Sequence, residues 1–550
     1  MHWNITSLLS RPRTAVKKRA PHRNTLRLEA LEDRLTPAGF FLTGVGGFTN
    51  PAEPNVRIYD SSSVAGGTST FLNPPGDIAA FNPDLMLPGR GPTPFIGSVR
   101  VANGDVNGDG IDDIITAQGP GGTSASQVKI FDGNSAIFLG TRVEIASFFA
   151  YSDSAGASQN PGFGGGVFVA SADFNGDGID ELVVSAGAGA RGHIKVFNFN
   201  VGGVFQGSTP ELRASFFAYT DFAGEIRVTT LQSGATAFLI TGSGAGTSQS
   251  DVRAYQNVFN IGEIADLTFV APFAQLFPFT GYTGGVSVAA GDTDGDGVDE
   301  LFVSKNSGVS TVLVIDAGTL ATRATFTAFG GFNGEVRLGA ADVDGDGRVE
   351  VLTSTGTSPG AGGAHVKAWS ITGATADTIR SFFAYEGYIN GVFLSTNDFN
   401  WTQKFTNTTP IVLTDGTATF TASNIVVDPR TFVDSARPTS ILVSLNTTTF
   451  FNADTDAFLQ SPTGVQFELT TDNGGGGDGM QVIFSDTAAT NITAAPVANP
   501  LTGTFRPEGA GSFLLTYGAA GVAGTWTLLI RDDFGGFPTT LTSWAIGFTF

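Results

Sequence analysis

Gly166-Val167-Phe168-Val169-Ala170-Ser171-Ala172 runs straight into Asp173-Phe174-Asn175-Gly176-Asp177-Gly178-Ile179-Asp180-Glu181. Leu182-Val183-Val184-Ser185 follows, then a Gly-rich turn over Gly187–Gly192, then His193-Ile194-Lys195-Val196-Phe197. Short β-branched and aromatic runs separated by Gly- and Asp-rich turns read as strands. A fourth strand carries Ser-Phe-Phe-Ala-Tyr at Ser215–Tyr219, which recurs at Ser147–Tyr151 and Ser381–Tyr385 and more loosely at Phe326–Phe329.

This four-stranded unit repeats. Aligned on the first position of the acidic loop, the copies start at 105, 173, 231, 292, 342 and 398. A self-similar series of four-stranded units predicts an all-β chain folded as a β-propeller, which protects sheet edges by radial closure. The last unit, from Gly391, loses the pattern after Asp398, while Phe41-Leu42-Thr43-Gly44 and Asn55–Asp60 match the middle strands of a unit. The two ends together predict one split closing blade, hence six blades, with residues 61–95 leaving a seventh open.

Four loops have the form D-x-[DN]-x-D-G-x-x-[DE]. Their candidate ligands are Asp105, Asn107, Asp109, Ile111 and Asp113; Asp173, Asn175, Asp177, Ile179 and Glu181; Asp292, Asp294, Asp296, Val298 and Glu300; and Asp342, Asp344, Asp346, Arg348 and Glu350. Side-chain oxygens at positions 1, 3, 5 and 9, with a backbone carbonyl at position 7, make a hard, flexible cage suited to Ca²⁺ rather than Mg²⁺, so about four calcium sites are expected. Asp, Asn and Gly also favour plain turns, but four loops in register with a strand repeat favour the cage. An EF-hand would close at position 12 and sit between helices. The third unit has Leu231-Gln232-Ser233-Gly234 in place of the cage and the sixth keeps only Asp398 and Asn400, so neither is expected to bind.

The 550 residues carry 29 Lys+Arg against 50 Asp+Glu, a net charge of −21 that argues against general nucleic-acid binding. Seventeen of the acids lie in the four nine-residue loops, so the acidity is largely local. The absence of Cys excludes disulfides and thiolate chemistry. Residues 1–38 are basic, with eight Lys/Arg and three acids, and no apolar run long enough for a signal peptide or a transmembrane helix. From about Thr406 the repeat gives way to short strands at Ile411–Leu413, Thr419–Ala422, Ile441–Leu445, Ala457–Leu459, Gln466–Leu469, Gln481–Phe484, Phe513–Tyr517, Trp526–Ile530 and Trp544–Phe550, predicting a jelly-roll or sandwich.

The acidic loops and their strands resemble FG-GAP/VCBS-type repeats, the units of the integrin α-chain propeller and of many bacterial surface proteins, over roughly residues 40–400. The resemblance implies a calcium-stabilised propeller used for adhesion or recognition, and only sometimes for catalysis. Leu28-Glu29-Ala30-Leu31-Glu32-Asp33-Arg34-Leu35-Thr36-Pro37-Ala38 resembles the LEPR-XLL-type segment of secreted planctomycete proteins, which implies export, with residues 1–38 as a targeting segment and 39–405 as the propeller. Within 406–550, Thr455–Leu459, Ser461-Pro462-Thr463-Gly464, Phe484-Ser485-Asp486, Leu501–Pro507, Gly524-Thr525-Trp526-Thr527-Leu528 and Leu541–Phe548 resemble the P (P/Homo B) domain of proprotein convertases and bacterial subtilisin-like proteases. That resemblance implies a stabilising or localising module, with Trp526 and Trp544 in its core. Asp454, Asp456, Asp532 and Asp533 read as surface turns or as a further cation site.

The same resemblance raises proteolysis. A serine protease needs a Ser, a His base and an orienting acid. Gly122-Thr123-Ser124-Ala125 is the only faint nucleophile segment, and Gly-Thr-Ser recurs at Gly67–Ser69, Gly246–Ser248 and Gly356–Ser358 as part of the repeat. His193 and His365 precede the same strand in two units, a structural position. The expectation is therefore a secreted or surface-attached calcium-binding recognition module, with no catalytic residue nominated and an unidentified extracellular protein or polysaccharide as partner. Two alternatives stand beside it: an accessory or degenerate component of a serine-endopeptidase system, and a propeller hydrolase or lyase.

Overall fold

The computed structural model describes residues 40–549 except 47–54, 61–76, 82–96, 121–125, 136–142, 152–162, 220–221, 264–273, 345–347, 357–362, 386–387, 396–402, 428–437 and 518–521, and the single positions 110, 134, 235, 408, 439 and 489. The basic N-terminal segment, Asp398, Asn400 and Ser124 lie outside these residues.

The chain is nearly all-β. Among the described residues, six antiparallel sheets follow one another along the repeat. Sheet 1 is split: Val392–Leu394 pairs with Phe40–Val45, followed by Asn55–Asp60 and Asp77–Ala79. Sheet 2 runs Val99–Gly104, Asp113–Gln118, Gln127–Phe131 and Glu144–Phe149; sheet 3 runs Val167–Ala172, Glu181–Ala186, His193–Asn198 and Glu211–Phe217, with Gly262–Glu263 added in parallel at its edge. Sheet 4 is Ile226–Ser233, Thr236–Ser243, Val252–Gln256 and Ala274–Leu276; sheet 5 is Val286–Gly291, Glu300–Lys305, Thr311–Asp316 and Thr322–Thr327. Sheet 6 is Val336–Ala341, Glu350–Thr355, His365–Thr372 and Thr375–Phe383. The first strands of sheets 2 to 6 contact one another in chain order, and Val392–Leu394 contacts both Val336–Ala341 and Val99–Gly104, so the series returns on itself as a β-propeller.

The repeated residues clasp adjacent sheets. Tyr151 Oη, in the Ser-Phe-Phe-Ala-Tyr run after sheet 2, donates to Val184 O (2.9 Å) of sheet 3, and Tyr385 Oη, after sheet 6, donates to Thr43 O (3.0 Å) of sheet 1. In four of the Val-Lys-Ile-Phe-like strands the basic residue reaches back to the Ala carbonyl of the same run in the preceding sheet: Lys195 to Ala150 O (2.9 Å), Arg253 to Ala218 O (2.8 Å), Lys367 to Ala328 O (3.0 Å) and Arg57 to Ala384 O (2.5 Å); Lys129 instead pairs with Glu144 of its own sheet (2.6 Å). Arg57 and Tyr385 apply to the two ends of the repeat the clasp used within it.

Beyond the propeller, two sheets pack face to face. One orders Gln403–Asn407, Thr540–Thr549, Ser440–Thr448, Met480–Ser485 and Leu501–Phe505; the other orders Thr421–Val427, Gly524–Asp532, Thr455–Gln460 and Gln466–Thr470. Val443, Trp544 and Ile546 of the first meet Ile425, Trp526 and Leu528 of the second in one core, and both tryptophans are fully buried. Gln403–Asn407 straddles the boundary expected at 405/406 and pairs wholly with the C-terminal strand. The opposite face of the first sheet, through Leu442, Ile483 and Ala545, joins the same apolar cluster as Val101, Ile111 and Val343 of the propeller.

One strand expected from the sequence is a helix. Phe513–Tyr517 forms a single α-turn. Asp486 accepts hydrogen bonds from Phe513 N (2.7 Å) and Leu514 N (3.1 Å), and Ser512 Oγ accepts from Leu515 N (3.1 Å), so the first-turn amides are capped. Phe513 and Tyr517, one turn apart, then both point into the core. A short apolar run has no period that separates the two outcomes; the caps decide it.

Candidate cation loops and the propeller axis

Each of the four acidic loops is closed by the same register. The residue before position 1 pairs with the acid at position 9: Gly104 with Asp113, Ala172 with Glu181, Gly291 with Glu300, Ala341 with Glu350. All four closing acids are buried, at 0–3% exposure. In sheet 4, where the cage residues are missing, pairing instead continues to Ser233 and Thr236, a tight hairpin.

Within the loops the first Asp organises the backbone. Asp173 Oδ1 accepts from Gly176 N (2.6 Å) and Asp177 N (3.2 Å), and Oδ2 from Gly178 N (2.8 Å). Asp292 accepts from Gly295 N (2.7 Å) and Gly297 N (2.8 Å), and Asp105 from Gly108 N (2.7 Å). Positive φ at Gly176 and Gly178 (79° and 82°) makes this winding accessible to glycine. The position-5 Asp accepts from the position-7 amide in three loops: Asp109 from Ile111 (3.0 Å), Asp177 from Ile179 (3.0 Å) and Asp296 from Val298 (2.9 Å). The amide at position 2 donates to the buried closing acid: Val106 to Asp113, Phe174 to Glu181, Thr293 to Glu300 and Val343 to Glu350, at 2.7–3.2 Å.

In two of the four loops three of the predicted ligands come together. Carboxylate oxygens of Asp292, Asp294 and Glu300 lie within 4.8 Å of one another, as do those of Asp342, Asp344 and Glu350. In the first two loops position 3 is an Asn whose amide donates to the closing acid, Asn107 to Asp113 (3.0 Å) and Asn175 to Glu181 (2.6 Å). Asp346 lies outside the described residues. Burial, reinforced by Asp109, Asp132 and Asp105, pushes Asp113 well above the usual carboxylate range. Burial likewise pushes Glu181 up to about 8 and raises Glu300. Such groups are destabilised as anions unless a cation sits among them, and the all-oxygen donor set fits Ca²⁺. Sequence reasoning missed one competitor: Arg323, on the outer strand of sheet 5, lies 2.5 Å from Asp294 and 3.2 Å from Glu300.

Adjacent loops are tied together. Asp180 N donates to Asp105 O (2.7 Å), Asp299 N to Gln232 O (2.9 Å), and Val349 N to Asp292 O (2.8 Å). The first loop also meets the C-terminal sheets, where Thr487 Oγ1 donates to Asp109 O (3.3 Å).

The other end of the innermost strands carries a cluster that the sequence reading did not single out. Arg100, Arg227 and Arg337 surround the axis with Phe168, Ser287 and Phe393 and line a cavity of about 40 Å³. Glu225 is 2.5 Å from Arg227 and 3.9 Å from Arg100; Glu335 is 2.8 Å from Arg227 and 2.9 Å from Arg337. Burial would raise Glu335, but Arg337 and Arg227 outweigh it and hold the acid at about 2. The available signal was the doublet Gly224-Glu225-Ile226-Arg227 and Gly334-Glu335-Val336-Arg337.

Other nominated residues have structural surroundings. His193 and His365 occupy equivalent positions, each with Nε2 2.8 Å from a Ser hydroxyl, Ser215 or Ser381. Asp454, Asp456 and Asp532 are buried rather than placed in surface turns. Of that group, Asp456 and Asp533 join Asp472 in a third cluster with oxygens within 4.8 Å. It differs from the loop cages because Arg531 Nη2 lies 2.6 Å from Asp456.

The FG-GAP repeat model matches residues 99–131 and 165–200, spanning the first two acidic loops and their flanking strands, so the chain contains FG-GAP repeats there. No protein of curated function matches the sequence. Among solved structures, the exo-beta-1,3-galactanase of Phanerochaete chrysosporium aligns at 9% identity over 81% of this chain and 95% of its own, with a TM-score of 0.29. The periplasmic gluconolactonase of Pseudomonas aeruginosa aligns at 15% over 64% and 84%, with a TM-score of 0.35. The serine protease of Aeromonas sobria aligns at 14% over 34% of this chain and 36% of its own, with a TM-score of 0.16. Superpositions this loose assign no chemistry to the chain. No helix among the described residues is long and apolar enough to cross a membrane.

Proposed function

We propose that residues 39–405 form a six-bladed, calcium-stabilised propeller, followed by a P-type jelly-roll sandwich over 406–550, and that the protein works as a secreted or surface-attached recognition module. The observation that supports this most is the shared register of the four acidic loops, each closed by a buried acid. Calcium in these loops would be structural, because each cage joins adjacent strands and draws its ligands from one segment. Ligand-contacting surface is then left to the loops on a rigid scaffold.

Equilibrium dialysis with labelled calcium tests the cation reading. About four ions per chain are expected, with one lost in Asp173→Ala; no saturable uptake overturns it. Calcium-dependent retention on immobilised envelope polysaccharide or extracellular protein tests the recognition role. Equal retention with calcium and with chelator counts against it.

Hydrolysis is less well supported. Glu225 and Glu335 are the carboxylates paired with the axial arginines, but Glu335 bridges two guanidiniums and stays ionised to about pH 2, so it cannot serve as a general acid at neutral pH.

A further inference from the structure

The six innermost strands alternate between two types. In sheets 2, 4 and 6 the residue before the strand is Ser98, Glu225 or Glu335, and the second strand residue is Arg100, Arg227 or Arg337. In sheets 3, 5 and 1 the preceding residue is Gly166, Gly285 or Gly391, and the second is Phe168, Ser287 or Phe393. The glycines are obligatory: their φ values are 74°, 83° and 70°, and a Cβ on each would strike neighbouring backbone at Pro120 N (2.5 Å), Ala245 N (2.6 Å) or Thr355 O (2.0 Å). The axis therefore has approximate threefold order, with an arginine in every second sheet, preceded by a glutamate in two of the three.

Each acid reaches back by the same step. Glu225 of sheet 4 bridges its own Arg227 to Arg100 of sheet 2, and Glu335 of sheet 6 bridges its own Arg337 to Arg227 of sheet 4. The third step would run from residue 98, bridging Arg100 to Arg337, and there the chain has Ser. Three guanidiniums thus share two carboxylates. Nε of Arg100, Arg227 and Arg337 alike is buried with no hydrogen-bond partner among the described residues, and of the three only Arg337 also has a buried, unpartnered Nη1, on a side chain 7% exposed. Rings cover the guanidinium faces, with Arg100 3.6 Å from the Phe168 centroid and Arg337 3.7 Å from that of Phe393, so further pairing must come in the guanidinium plane. An unpaired buried charge is costly, and a carboxylate is the group whose geometry matches such edges.

We propose that the axial cavity binds a small monocarboxylate between Arg100 and Arg337, which supplies the third negative charge that residue 98 does not. The cavity, at about 40 Å³, has room for a group the size of acetate. Ser98 supplies no carboxylate to this set, and Phe168 and Phe393 line the cavity beside the two guanidiniums.

The test uses the full chain in saturating calcium, with acetate as probe, chloride at equal ionic strength as reference and acetamide as the uncharged isostere. Labelled acetate should bind saturably at one per chain and raise Tm by roughly 1–3 °C, and acetamide should do neither. Ser98→Glu should fill the vacancy from within: Tm without acetate equals or exceeds that of the unaltered chain, and acetate affinity falls at least about tenfold. Should Ser98→Glu fail to fold, Arg337→Gln provides the second variant, with the same loss of acetate binding expected. No saturable acetate binding at tens of millimolar, competition by acetamide, or unchanged affinity in either folded variant overturns the proposal.

Discussion

The two ends of the innermost strands carry opposite chemistries. In sheet 2, Arg100 stands at the axial end of the strand and Asp105 begins the acidic loop at the other, a separation of about 16 Å in an extended strand. At the loop end each cluster comes from one nine-residue segment, and four such segments repeat the solution. At the axial end no segment supplies more than one Arg and one Glu, and only ring closure assembles the set. The loop end gathers carboxylates, whereas the axis sets three guanidiniums against two carboxylates.

Calcium removal should break the comparison most sharply. Occupancy at 100 Kd stabilises by about 2.7 kcal/mol per site, so four sites approach on the order of 10 kcal/mol. Differential scanning calorimetry across free calcium concentrations should show a steep, graded fall in Tm. A Tm indifferent to chelator would mean that backbone amides alone satisfy the loop carboxylates. Glu335→Gln addresses the other end. It leaves Arg227 and Arg337 with one bridging anion fewer, and a loss of about 3 kcal/mol is expected, equal with and without calcium. A calcium-dependent loss would show the two ends to be energetically coupled.

Arg323→Gln sharpens the comparison within the loop end. Its guanidinium sits against Asp294 and Glu300, two expected ligands of the sheet 5 loop. Removing that charge should tighten calcium binding there by on the order of 1 kcal/mol, seen by calorimetric titration as one site moving away from the other three. Unchanged affinity would place Arg323 outside the electrostatics of the cage.

How much was legible in the sequence follows from the same contrast. Gly176, Gly178 and the spaced oxygens of Asp173–Glu181 act within one turn, so their pattern survives in the linear order. The split sheet was legible because Asn55–Asp60 copies the strand that holds Lys195. The axial site was not, because Arg100, Arg227 and Arg337 are read one at a time as single polar residues in apolar strands, and only the alternation of sheets brings them together. Arg323 was hidden likewise, reaching the loop from the outer strand of its sheet. The helix at Phe513–Tyr517 was misread because its decisive cap, Asp486, lies 27 residues upstream.

The smallest expected effect belongs to neither end and separates both from a third source of pH sensitivity. His193 lies on the third strand of sheet 3, where burial, with Lys195 nearby, brings its pKa down to about 4. An unfolded His titrates near 6.5, so between these values the unfolded chain binds more protons and stability falls as pH drops through the window. Glu335, held at about 2, stays ionised throughout, so the axis contributes no slope there. With calcium saturating and pH lowered from 7 to 5, His193 should account for a loss on the order of 1 kcal/mol after allowance for partial exposure. His193→Gln keeps a polar partner for Ser215 and removes the titration, so its denaturation midpoint should fall less over the same interval. Parallel slopes for the two proteins would mean that His193 takes up its proton equally in the folded and unfolded chain, and the equivalent His365, also lowered by burial, would then be the remaining imidazole to test.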